Sequence, residues 1–296
     1  MSGRTIALIG FGEVGQALAA ELARHPQKPV LRAHDLKFAD PASAPSCAAK
    51  AAEVQVFVSA AEAALGADLV ISAVTAAQTV AAAQAVAPGI GVDVRFIDLN
   101  SASPQAKQAA AEIIDGAGGR YVEAAVMSPI EPKRLASPML LGGTHAEGAL
   151  DDLAALGFTG ARFYSPILGK AAAAKLSRSV VIKGMEALVT ESLLTARFYG
   201  VEDEVLGSLS NLFPRPDWED YALYLISRAL QHGVRRAEEM REAAVTVAGA
   251  HLEPLMSEAT AARQEWTAAL PSPPASFQLR QTLDFLRGEL GKGEVK

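Results

Sequence analysis

Cysteine is nearly absent: the 296 residues hold one thiol, Cys47, in an Ala/Ser/Pro-rich stretch with no histidine beside it. An intramolecular disulfide is thereby excluded, the thiol reads as incidental, and a reducing compartment is expected. Long apolar runs are missing too. The Ala-rich stretches are broken by Gln, Pro, Gly or charge before they reach membrane-spanning length, so no membrane partner is expected. The first apolar run, Ile6 to Ile9, is too short for a secretory signal and leads straight into a glycine turn, which makes the cytoplasm the expected location. A net charge of −6 excludes a general nucleic-acid binder. No internal repeat is evident, and no metal site is expected.

What is present is a soluble, globular composition, with 50% apolar and 20% charged residues and abundant alanine, which favours helix over strand. The length suits one large or two ordinary domains. The opening stretch organises the rest. Ile6 to Ile9 runs into Gly10-Phe11-Gly12-Glu13-Val14-Gly15, after which Val14, Leu18 and Leu22 recur at helical spacing. This is strand, tight turn and helix, with glycines spaced G-x-G-x-x-G. Gly10 permits the sharp turn, Gly12 removes a Cβ that would hold a pyrophosphate off the backbone, and Gly15 permits close packing of helix on sheet. The helix presents free N–H groups and its positive dipole end to the phosphates. Asp35 closes the next apolar run, where a carboxylate can accept both ribose hydroxyls of NAD and repel the extra phosphate of NADP. NAD is favoured, and NADP stays possible because Arg32 and Lys37 are near. Gly10, Phe11, Gly12, Glu13, Val14, Gly15 and Asp35 are therefore expected cofactor contacts.

Strand and helix then alternate. A loop with a short helix is predicted over 39–52, strands at 54–58 and 67–74, a helix over 75–87, a strand at 95–99, a helix from Pro104 to Asp115 and a strand from Arg120 to Val126. Further strands at 139–143 and 161–164 flank a helix over 147–156. This is an α/β, doubly wound Rossmann domain over 1–166. From Ile167 the strand signal stops. A long helix over 168–199 joins an all-α domain, 167–296, with helices near 202–212, 217–249, 253–268 and 275–290 separated by breakers such as Pro214, Pro216 and Pro254. The tail Gly291 to Lys296 reads as a solvated connector.

In an open α/β sheet, ligands sit beyond the carboxyl ends of the strands. Val74, Thr75, Ser101 and Ser128 stand there, and small hydroxyls can touch a nicotinamide ribose or a substrate carboxylate; each can equally cap a helix or close a turn. Gly169-Lys-Ala-Ala-Ala-Ala-Lys175-Leu-Ser-Arg-Ser179 heads the long helix, with Lys175 and Ser179 on one face. Hydride transfer at a carbonyl or alcohol carbon needs a proton donor or acceptor at the oxygen, which a desolvated lysine can be. A surface lysine on an Ala-rich helix is the alternative. His232, Arg235, Arg236 and Glu239 share one helical face and could clamp a carboxylate or phosphate. A solvated, salt-bridged face is the other reading, favoured for Arg236. Lys183 reads as structural, among Val180, Val181 and Ile182, which are expected to be buried, and Trp218, Tyr221 and Tyr224 read as packing aromatics.

In order and approximate spacing the fingerprint, Asp98-Leu-Asn-Ser-Ala-Ser, Glu123-Ala-Ala-Val-Met-Ser-Pro and Gly169-Lys-Ala-Ala-Ala-Ala-Lys175 resemble the β-hydroxyacid dehydrogenases. That superfamily includes 3-hydroxyisobutyrate and 6-phosphogluconate dehydrogenases. The stretch from His232 to Met240 resembles a smaller branch with a phosphogluconate-dehydrogenase-like C-terminal domain. The resemblance implies that Lys175 is the catalytic general base in oxidation and acid in reduction. It implies substrate contacts at Ser128, Ser179, His232 and Arg235, and a homodimer formed through the helical domain. Ser179 replaces the family's Asn, and the segment from Glu123 to Pro129 departs from the usual Asp-Ala-Pro-Val-Ser-Gly-Gly, so identity with either named enzyme is not implied. The expected activity is hydride transfer between NAD(P) and a small 3-hydroxy acid or related hydroxylated anion, in a cleft between the domains. An imine reductase, in which another residue generally replaces the lysine, and a non-enzymatic dinucleotide sensor are the rivals.

Overall fold

The computed structural model describes residues 4–52, 54–214 and 217–290. The Pro216 breaker and the tail from Gly291 lie outside them. Packing divides the chain into two compact units that meet in sequence between Leu176 and Ser177.

The first unit runs β1 (Thr5–Ile9), α1 (Glu13–Leu22), β2 (Val30–His34), α2 (Ala44–Ala51), β3 (Gln55–Val56), α3 (Ala60–Ala64), β4 (Leu69–Ser72), α4 (Thr79–Val86), β5 (Arg95–Asp98), α5 (Pro104–Gly116), β6 (Arg120–Val126), β7 (Met139–Gly142), α6 (Leu150–Ala155), β8 (Ala161–Ser165) and the first turns of α7 (Lys170–Tyr199). The strands form one sheet in the order β3-β2-β1-β4-β5-β6-β7-β8. Strands β1 to β6 are parallel, and the order reverses between β1 and β4, the crevice where doubly wound sheets take ligands.

Both faces are covered, so the central strands are mostly apolar, with Ser72, Asp98 and Glu123 as buried polar exceptions. Ile6, Leu8, Leu69, Ile71 and Ile97 pack beneath Leu18 and Leu22 of α1 on one face. Ala7, Ile9, Val70 and Phe96 meet Ala83 and Val86 of α4 and Ile114 of α5 on the other. Each fully buried Ile or Leu contributes about 1.5–3 kcal/mol relative to exposure.

Strand β7 runs antiparallel to β6. The two are joined by residues 127–138, whose helical content is one 3-10 turn at Arg134–Ala136. A parallel return needs a crossover, usually a helix, and without one the chain comes back in the opposite sense. Strand β8 then pairs parallel to β7 after α6.

Other expectations are trimmed. The strand predicted over 54–58 narrows to Gln55–Val56, and Val58 is 90% exposed beyond it. A five-residue helix, α3, follows at once, because Ser59 accepts from Glu62 N and caps it. The helix predicted over 75–87 begins at Thr79, after a 3-10 turn at Ala76–Gln78. That predicted over 147–156 likewise opens as a 3-10 turn, with α6 starting at Leu150.

The second unit is helical in its described residues: the rest of α7, then α8 (Glu202–Leu212), α9 (Trp218–Gly249), α10 (Leu255–Ala268) and α11 (Leu279–Leu290). Its core joins Leu193 and Leu194 of α7, Trp218, Ala222, Leu225 and Ile226 of α9, and Leu279, Leu283 and Leu286 of α11. Asp217 caps α9 by accepting from Glu219 N and Asp220 N. Gly233 lets α9 close on α10, since a Cβ there would meet Gln264 O and Ala268. No helix among the described residues is long and apolar enough to cross a membrane.

Candidate functional site

The loop leaving β1 is shaped by its glycines. Gly10 has φ +92°, and a Cβ there would lie 2.5 Å from Ala73 O on the loop leaving β4. Nothing lies within 4 Å of a Cβ built on Gly12, so the space over this turn is open for a group to approach the backbone. Gly15 is needed for a different contact from the one expected: its Cβ would strike Gly10 O, the loop's own carbonyl, rather than the sheet. Glu13 is exposed in the first turn of α1 and Val14 is half-buried against the core. Phe11 is fully buried, its ring 5.9 Å from that of Phe38.

Asp35 ties this loop to the end of β2. Its Oδ2 accepts from Phe11 N at 2.7 Å and its Oδ1 from Lys37 N at 2.8 Å. A carboxylate can accept about four hydrogen bonds, so both oxygens keep capacity for a sugar hydroxyl. Gly10, Gly12, Asp35, Val74 and Thr75 line one cavity of about 300 Å³. His34, Lys37, Pro45 and Gln78 line it as well. Sequence reasoning named Lys37 only as a cation near Asp35 and missed the other three; His34 could have been found as the neighbour of Asp35, whereas Pro45 and Gln78 arrive from distant loops with no signal. An open glycine turn at a helix N-terminus, with the Asp35 carboxylate lining the same cavity, fits a dinucleotide.

Beyond β5 the polar groups are interlocked. Asn100 Oδ1 accepts from Val74 N at 2.7 Å and its Nδ2 donates to Ser72 Oγ at 3.0 Å, which fixes the exit of β4 to that of β5. Asp98 holds Asn100 in turn, its Oδ1 accepting from Asn100 N at 2.8 Å. Asp98 is fully buried and pairs with the buried Lys107, 2.9 Å away, while Tyr121 donates its hydroxyl to Oδ2 at 2.5 Å. Burial, and then the Asp98 charge, push the Tyr121 phenol well above its ordinary range. Ser103, not Ser101, caps α5 by accepting from Ala106 N. The Ser101 hydroxyl instead accepts from Lys175 Nζ at 2.6 Å.

Lys175 is brought there by the start of α7. Ala171 is fully buried against Ala125 and Leu140, so the alanines ahead of Lys175 seat the helix on the sheet. Glu123, read from sequence only as part of a divergent segment, accepts from Gly169 N at 2.7 Å and from Ala172 N. Burial pushes its carboxyl up, opposed by Lys107 and these two amides.

Ser128 donates its hydroxyl to Pro129 O at 2.9 Å. In the second unit Ser179 is buried and lies 3.4 Å from Lys183 Nζ. His232 Nε2 meets Arg228 Nη1 at 2.8 Å, and Arg235 is exposed. Two expectations are overturned here, the solvation of Arg236 and the burial of Val181 and Ile182 beside Lys183. Arg236 is no solvated residue but is buried, pairing with Glu186 at 2.5 Å, because consecutive helix positions lie about 100° apart and cannot share one exposure. Lys183 is buried and paired with Glu239, although Val181 and Ile182 beside it are 60% and 44% exposed. Burial lowers the Lys183 ammonium, which the Glu239 charge opposes, and burial raises the Glu186 carboxyl, which Arg236 opposes.

Compared with known families, residues 5–153 match the NAD binding domain of 6-phosphogluconate dehydrogenase, and residues 196–267 match a domain of unknown function, DUF1932. The chain belongs to the β-hydroxyacid dehydrogenase superfamily. As a member of that superfamily of NAD(P)-dependent dehydrogenases and reductases, it carries a binding domain for NAD or NADP. Among solved structures, a conserved hypothetical protein from Sinorhizobium meliloti 1021 is 36% identical, with 98% of this chain and 97% of that one covered at a TM-score of 0.74. A Mycobacterium tuberculosis 3-hydroxyisobutyrate dehydrogenase, in a structure with L-serine, shares the superfamily fold at 19% identity, 97% and 100% coverage and a TM-score of 0.69. A Streptomyces aurantiacus imine reductase shares it at 18% identity, 95% and 98% coverage and a TM-score of 0.55. No curated protein matches.

Proposed function

We propose that the protein interconverts a small 3-hydroxy acid, or a related hydroxylated anion, with the corresponding carbonyl compound, with NAD as the preferred cofactor and Lys175 as general acid and base. The observation that carries this reading is the 2.6 Å contact of Lys175 Nζ with Ser101 Oγ, at the strand-end rim that also bears Asn100 and Val74. NAD held by the glycine turn and Asp35 would supply the hydride acceptor for oxidation of the carbinol carbon. Lys175, neutral at that moment, takes the hydroxyl proton, and Ser101 holds the amine in place. In reduction the ammonium returns the proton to the carbonyl oxygen.

Gly10, Phe11, Gly12, Glu13, Val14, Gly15, Asp35, Val74, Thr75 and Ser101 are assigned to the cofactor. Ser128, Ser179, His232 and Arg235 are assigned to the substrate anion. The functional domains are taken as 1–166 and 167–296, the latter with the linking helix from 168, and the working form as a cytoplasmic homodimer. Light scattering on the purified protein tests the dimer.

The decisive experiment is an assay of NAD and NADP reduction over a panel of 3-hydroxy acids with and without phosphate, run alongside cyclic imines with the reduced cofactors. Turnover of a hydroxy acid supports the reading. Turnover of imines alone gives the reductase, and cofactor binding without turnover on either panel gives a dinucleotide sensor.

A further inference from the structure

Asp98 and Glu123 are register partners on the adjacent parallel strands β5 and β6, so two buried carboxylates stand side by side with Lys107 close to both. Asp98 organises the exit of β5, through Asn100 N. Glu123 reaches the other way, to the amides of Gly169 and Ala172 at the head of α7. The two ends of the Lys175–Ser101 contact are thus each anchored by one member of the pair. Three features make the Glu123 link specific. Gly169, whose N–H the carboxylate bonds, has φ +89°, and a Cβ there would lie 2.9 Å from Pro104 Cβ. Gly142, opposite Glu123 on β7, leaves the room that the side chain fills: a Cβ there would lie 2.6 Å from Glu123 Oε2. Ala171 sits between the two bonded amides and packs on the sheet.

We propose that Glu123 is a positioning residue: its carboxylate clamps the first turn of α7 to β6 and so sets the height and rotation at which Lys175 meets Ser101. It touches none of the reacting atoms and acts through the helix. The proposal rests on the reading of Lys175 as proton carrier, and its test separates the two.

The experiment compares wild type, Glu123→Gln and Gly142→Ala. Gln keeps the shape of Glu123 but turns an amide donor toward one of the two backbone N–H groups. The Gly142→Ala methyl displaces the carboxylate while keeping its charge, and it carries the test if the first variant fails to fold. The readout is the rate at which trinitrobenzenesulfonate labels Lys175 relative to the exposed Lys50 in the same sample, followed by peptide mass spectrometry across pH. Loss of a helix-end clamp should raise that ratio about fivefold in each variant that folds, with amide exchange of residues 169–175 accelerated and NADH affinity within about twofold. A flat ratio, or unchanged exchange at 169–175, overturns the proposal. Lys50 is already exposed and cannot report general loosening, so exchange accelerated across the whole sheet unit, rather than at 169–175 alone, also overturns the proposal. Where a substrate is found, kcat should fall about tenfold with KM for the cofactor unchanged. A shifted ratio with unaffected kcat upholds the clamp and rejects Lys175 as the proton carrier.

Discussion

In the sheet unit the buried carboxylates of Asp98 and Glu123 accept from backbone amides at Asn100, Gly169 and Ala172. In the helical unit the buried Glu186 and the partly buried Glu239 face cations, Arg236 and Lys183, on neighbouring helices. Strand ends and helix starts have unsatisfied N–H groups, so a buried acid can fix the course of the chain there. Helix interiors have none to offer, because each N–H is already bonded within its own helix. An acid buried between helices must take a side-chain cation, and both partners then lose water. The first arrangement orients a site. The second ties helices together, and burial raises a carboxyl in each arrangement, Glu123 in the first and Glu186 in the second, and lowers Lys183.

The sharpest way to break this contrast is Lys175→Ala, which should cut turnover on an active hydroxy acid by about two to four orders of magnitude. NADH affinity should stay nearly unchanged, and an enzyme that keeps its turnover would remove Lys175 from the chemistry. Next in size is Arg236→Met, which strands Glu186 and should cost the helical unit about 3–5 kcal/mol, while the double change with Glu186→Leu restores most of it. Both tryptophans, Trp218 and Trp266, lie in that unit, so their fluorescence in urea follows its unfolding. NADH affinity should not respond.

A smaller effect is expected for cofactor choice. Titrations should show NADH bound about tenfold more tightly than NADPH, about 1.4 kcal/mol, and Asp35→Ala should narrow the gap. The smallest concerns pH. A carboxyl raised in the folded state binds more protons there than in the unfolded chain over the window between its two pKa values, so stability falls as pH rises through that window. Glu186 and Glu123 are both raised. Glu186→Gln should therefore flatten the decline seen by fluorescence from the ordinary carboxylate range upward. An unaltered slope would remove Glu186 as its source.

Much of the fold could be read from the residues. The long helix predicted to start near 168 and end at 199 is α7, Lys170–Tyr199, because an apolar period between Gly169 and Gly200 is bounded by the residues that end helices. The glycine turn and Asp35 were legible because each glycine has a local steric duty. The direction of β7 was not, since a short apolar run has no sense until its connection is known. Glu123 was hidden for a similar reason: its partners, Gly169 and Ala172, are backbone groups far along the chain, and no side-chain pattern announces a backbone acceptor. On α9 the polar stripe was read as one face, although Arg235 and Arg236 point apart, and burial separates them.

The tight seating of Ala171 on the sheet carries a consequence for the length of chain between Gly169 and Lys175. A helix pressed this closely cannot slide along its axis to absorb an added or deleted residue. One such change would swing the amine about 100° round the axis and shift it about 1.5 Å, away from Ser101. In this chain, phase is the quantity that cannot drift: substitutions on the outer side of these turns are tolerable, whereas a single insertion there is a change of address for the amine.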